Sequence, residues 1–144
     1  MHFEFWCRWL LGASAFFVGF GVVAAIAPHS GLFDLWIGEI DNHFFAGEIG
    51  ASALEMRGFL MGPLGATISG SYLLQVFVIA VPFRNREAWA WHAVLWSTLL
   101  WFVVDSTMSA VHGAYFNIYL INLMPLILFG IPLAATRSML SSTR

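Results

Sequence analysis

The sequence has no lysine, one cysteine and few charges of either sign. Its six cations are all arginine, and charged residues make up only 10% of its 144 positions. A soluble domain carries about 25%. With no basic run and a formal net charge of -2, the chain lacks the electrostatic footprint of a nucleic-acid binder, so no nucleic-acid partner is expected. Cys7 has no second cysteine to pair with, so no intramolecular disulfide staples the fold. It sits beside an apolar run and reads as a small apolar residue at an interface. Short metal-ligand spacings such as H-x-x-x-H are also missing, and so is any nucleophile or cofactor motif.

What remains is apolar: 60% of the residues are hydrophobic, with seven Trp and fourteen Phe. That composition belongs to an integral membrane protein. Four runs are long enough to span, at about 9–27, 57–81, 89–112 and 116–135. The expected fold is therefore all-α: a single four-helix transmembrane domain over 1–144, up-down-up-down. The first run follows Arg8 and ends in Ala25-Ile26-Ala27, which imitates a cleaved leader. Its length, Glu4 in the leading segment and Pro28 directly after the small residues favour a retained span. Trp6 and Trp9 are expected at the membrane interface.

His29 to Ser52 is the longest polar stretch. It mixes Asp34, Glu39, Asp41 and Glu48 with Leu32, Phe33, Trp36, Phe44 and Phe45, and reads as a longer amphipathic loop with short helices, half in the interface. Ser52 to Glu55 has the form of a capping box, placing the start of the second long helix near Ala53. Along that helix Gly58, Gly62, Ala66 and Gly70 recur every fourth residue, a small-residue stripe assigned to helix packing. Pro63 is expected to kink it. Pro82 to Glu87 and Gly113 to Tyr115 are tight turns, with Gly113 suited to cap the third span. Arg8, Arg84, Arg86, Arg137 and Arg144 flank one face, and Arg57 alone flanks the other. The positive-inside rule then places both termini in the cytoplasm, in what reads as a bacterial inner membrane.

The third span, Trp89 to His112, holds one acidic residue, Asp105, well inside an apolar run. A helix of that length rises about 36 Å, so the carboxylate is buried in the span and needs a partner, a proton or water. Asp105, Ser109 and His112 share a face at i, i+4 and i+7. Counting about 1.5 Å per residue from span midpoints, Asp105 and Asn122 lie at nearly the same depth and can hydrogen-bond. Arg57 lies roughly 10 Å further out on the same count. The expected cluster is Arg57, Asp105, Ser109, His112 and Asn122, with Tyr115, Asn117 and Tyr119 at its rim. Two readings stand for it. One is a structural Arg57–Asp105 ion pair with Asn122 on the remaining carboxylate oxygen. The other is an outward pocket in which Arg57 holds an anionic group while Asp105 and His112 exchange protons.

No metal is assigned. His29, His43 and His112 fall near acidic residues on one side, but without local ligand spacing. His92 and His112 stand about 30 Å apart on one helix, too far to ligate one haem. The cofactor is left open.

Several phrases occur together: Arg57-Gly58, Gly62-Pro63-Leu64-Gly65-Ala66-Thr67, Pro82-Phe83-Arg84, Trp89-Ala90-Trp91, Asp105-Ser106 with Ser109, then Asn117, Asn122 and Pro132-Leu133. Over about Arg57 to Arg137 they resemble a family of small bacterial four-span membrane proteins without assigned activity. That resemblance implies the four-span fold and brings no functional residues. The functional expectation is a non-enzymatic membrane protein that binds a lipid or amphipathic ligand, or serves as a subunit of a membrane assembly or homo-oligomer. The alternatives are an oligomeric transporter or channel, and a small membrane enzyme using Asp105 and His112.

Overall fold

A computed structural model describes residues 3–140 and is helical throughout, with no strand among the described residues. Five helices organise it: α1 (Phe3–Ile26), α2 (Asp34–Phe45), α3 (Ala51–Phe83), α4 (Ala88–Val111) and α5 (Tyr115–Met139). All but α2 are long and apolar enough to cross a membrane, which marks an integral membrane protein. Each long helix begins before the apolar run that announces it. Interfacial residues continue the helical hydrogen bonding, and hydropathy alone does not register them. Arg144 lies outside the described residues.

α1 buries Phe3, Cys7, Leu10, Ser14, Phe17, Gly21 and Ala24. The intervals alternate four and three, a heptad seam. Within it Cys7, Ser14 and Gly21 place a small residue every seventh position, which lets α3 lie close against α1. The closest approach is Gly21 against Gly65. A Cβ built on Gly65 falls 2.3 Å from the Gly21 carbonyl oxygen and 2.6 Å from the Ala25 nitrogen. Ser69 Oγ donates to the Val18 carbonyl at 3.0 Å, fixing the same crossing.

The stripe assigned to packing does not make this contact within the chain. A Cβ on Gly62 or Gly70 meets nothing within 4 Å, and one on Gly58 meets only the His29 ring at 3.7 Å. Ala66 and Gly70 are exposed. The contact surface of α3 on α1 runs one position off the stripe, through Met61 and Gly65, the two buried residues of its α-helical part. The capping box is not formed either. α3 starts at Ala51 after Gly50 in extended conformation, with no side-chain cap bond.

The α-helical bonding of α3 runs through Pro63 and gives way at Ile79–Phe83, a π-helical turn around Pro82. Proline has no N–H and crowds the carbonyl four residues back. The wider turn relieves both, and the Arg84 N–H closes it onto the Ile79 carbonyl, five residues back. α4 ends as expected, with His112 as its cap and Gly113 at φ 69°.

The densest core lies where α1 begins, α3 ends, α4 begins and α5 ends. Phe3, Leu10, Ile79, Phe83, Trp91, Val94, Phe129 and Leu133 pack there. Trp91 Nε1 donates to the Leu133 carbonyl at 2.9 Å. Arg84 pairs with Glu4 at 3.1 Å, and Arg86 stacks over Phe3. Toward the opposite end the core thins to a small cluster of Ala24, Phe33 and Met61 beneath α2. Polar residues and open space replace it there.

Candidate functional site

Asp105 is the eighteenth of the 24 residues of α4, about 9 Å along the axis from the helix end. Its Oδ1 accepts three hydrogen bonds: Asn117 Nδ2 at 2.7 Å, Asn122 Nδ2 at 2.8 Å and Ser109 Oγ at 3.2 Å. The Asp105–Asn122 bond anticipated from helix depth is therefore present. Asn117 Nδ2 also donates to Ser109 Oγ at 2.9 Å, and Asn122 Nδ2 to Ser106 Oγ at 3.1 Å. Turning its amide nitrogen to the carboxylate leaves Asn122 Oδ1 facing a fully buried region without a partner. From α2, Trp36 Nε1 donates to Asn117 Oδ1 at 2.9 Å.

The local fold of α5 makes this cluster. Asn117 and Asn122 are five residues apart, which on an α-helix sets them about 140° apart at 3.6 residues per turn. Ile118–Asn122 is a π turn, and the Leu123 N–H bonds to the Ile118 carbonyl five residues back. That widening brings residues five apart toward one face, and π turns recur where function needs such a register. Pro125 follows three residues later and cannot donate to the Ile121 carbonyl, which weakens regular α-helical bonding at this point.

Arg57 is not part of this cluster. It pairs with Asp41 of α2 through Nη1 and Oδ1, with both side chains mostly buried at 18% and 20% exposure. α2 folds back over the first turns of α3 and meets the guanidinium before α4 does. The expected Arg57–Asp105 ion pair is thus replaced by Arg57–Asp41, and Asp105 has no cationic partner among the described residues. His112 is exposed at the end of α4. Its carbonyl accepts from His43 Nε2 at 3.0 Å, another tie from α2.

Beside the cluster lies an open cleft of about 850 Å³. One stripe of α4 forms its long wall: Ser97, Leu100, Trp101, Val104, Asp105, Met108, Ser109 and His112. Trp36, Ile40 and Phe44 of α2 close one side, and Ala114, Phe116 and Asn117 close the end. The lining is overwhelmingly apolar and still open: Leu100 is 67% and Met108 52% exposed. A smaller hollow of about 220 Å³ between α2 and α3 holds Arg57 and shares Trp36 and Ile40 with the cleft. The structure therefore brings Asp105, Ser109, His112 and Asn122 to or just behind one wall, and sets Arg57 on the far side of α2.

Asn117, Trp36 and Ser106 belong to the network although sequence reasoning gave them lesser places. Sequence reasoning placed Asn117 at the rim of the cluster; its direct bond to Asp105 is signalled only by its five-residue interval from Asn122 ahead of a proline. Among the described residues no three His, Cys, Asp or Glu side chains are grouped to hold a metal ion. No family model, curated protein or solved structure matches the chain.

Proposed function

We propose that this is a non-enzymatic membrane protein that binds an amphipathic ligand in the α2–α4–α5 cleft, apolar body along α4 and polar end at Asp105, Ser109 and Asn117. The observation that carries the reading is the cleft itself. It is about 850 Å³, walled by apolar side chains, and meets convergent polar groups at one place. Small-molecule sites have that composition and typically run from about 300 to 1,000 Å³. The groups bonded to Asp105 are two amides and a hydroxyl, which hold the carboxylate still.

The proposal includes an up-down-up-down bundle in an inner membrane of a bacterial cell, with both termini cytoplasmic, in keeping with the four-span proteins that Arg57–Arg137 resembles. The pairing of Glu4 with Arg84 and the stacking of Arg86 on Phe3 support it, because they gather helix ends rich in arginine. In that frame the cleft opens to the outer leaflet and α2 lies across its end. Assembly with other chains rests on the open stripe of α3 alone and takes no part in the proposal.

Photolabelling in bilayer nanodiscs tests the binding. A long-chain alcohol with a diazirine in its chain is expected to label the segment 97–117 well above Phe59 and Leu74, which are as exposed but lie outside the cleft. Equal labelling of all exposed apolar positions would refute it.

A further inference from the structure

We propose that the polar end of the ligand is a cationic ammonium group, set against the Asp105 carboxylate and faced by the rings of Trp36, Phe44, Trp101 and Phe116. This rests on the binding reading above and names the headgroup. Its first support is the state of Asp105. All three donors to Oδ1 are neutral, and no hydrogen bond among the described residues reaches Oδ2. Neutral donors solvate a carboxylate but bring no positive charge to it, and a carboxyl group within a membrane span calls for such a partner.

Among the described residues no cation pairs with Asp105. Arg57 is held by Asp41, and Arg84 pairs with Glu4 at the other end of the bundle. The titratable and charged groups of the cleft lining are Asp105 and His112 alone, with His43 close by on the His112 carbonyl. Apart from Ser97, Ser109 and Asn117, the rest of the wall is aromatic and aliphatic. Aromatic faces attract ammonium groups, most strongly where water is excluded. A carboxylate on the wall of an apolar cleft that also holds Trp36, Phe44, Trp101 and Phe116 is complementary to a cation carried on an apolar body.

The same wall disfavours anionic headgroups, which would sit beside the carboxylate with no arginine to meet them. A phospholipid amine brings its phosphate within a few atoms of the ammonium, so a free lipophilic amine fits better than a phospholipid headgroup.

The test is competition against the diazirine alcohol in nanodiscs, using four chain-matched competitors: dodecyltrimethylammonium, dodecanol, dodecanoate and dodecylphosphocholine. The expected result is that dodecyltrimethylammonium protects the segment 97–117 at a concentration at least ten-fold below dodecanol, with dodecanoate weakest. Asp105→Asn should erase that preference, and Asp105→Glu, which keeps the charge, should retain it. Comparison of competitors on the wild type decides the matter even where Asp105→Asn does not fold. Equal protection by the ammonium and the alcohol overturns the headgroup assignment while the binding reading stands. Protection by dodecylphosphocholine equal to that by dodecyltrimethylammonium points to a phospholipid source and overturns the free amine. No cleft labelling at all overturns both.

Discussion

Gly65→Ala should weaken the protein, and Gly62→Ala, one residue type and three positions away, should not. The structure supplies the magnitude. The new methyl on Gly65 would stand 2.3 Å from the Gly21 carbonyl oxygen, whereas ordinary contacts begin near 3.4 Å, so α1 and α3 must part by about 1 Å. Both crowding atoms nearest the methyl are backbone, so no side chain can swing away. Overpacking of this kind costs about 1–3 kcal/mol. Alanine returns up to about 1 kcal/mol through better helix propensity, leaving a net loss of about 1–2 kcal/mol. At Gly62 there is nothing within 4 Å, so only the propensity gain remains. SDS-driven unfolding followed by circular dichroism measures both. Identical unfolding of Gly65→Ala and wild type would refute the α1–α3 contact, and a loss confined to Gly62→Ala would restore the stripe as the packing face.

Two further outcomes follow from the polar contacts. A double-mutant cycle on Arg57→Met and Asp41→Asn should show coupling of about 1 kcal/mol, whereas Arg57→Met and Asp105→Asn should be additive within about 0.5 kcal/mol because they share no partner. Asn122→Leu removes a donor to both Asp105 and Ser106 at a fully buried position and should cost about 1–3 kcal/mol in the same unfolding assay, with the spans retained by circular dichroism.

The four spans were legible because hydropathy summed over twenty residues outweighs any local ambiguity. The Asp105–Asn122 contact was legible too, since two helices at similar depth leave a buried carboxylate few donors. The glycine stripe shows where pattern stops being informative. Its four-residue spacing marks a face of α3 but not the direction it points, and Gly65, off the stripe, makes the contact. The partner of Arg57 could not be read from depth, because α2 folds back over the first turns of α3 and offers Asp41 first. Asn117 needed the π turn at Ile118–Asn122, and a helical wheel at 3.6 residues per turn places it elsewhere. The α1 seam, with Cys7, Ser14 and Gly21 each seven residues apart, lay in plain view in the sequence.

Native mass spectrometry of protein gently extracted from its own membrane puts the cleft to its most direct test, comparing wild type with Met108→Trp. Met108 lines the cleft and is 52% exposed, so a larger ring there fills the site without entering the core. The account predicts a bound small molecule on wild type that is lost from Met108→Trp. A bare wild type, or the same adduct on both proteins, would contradict it.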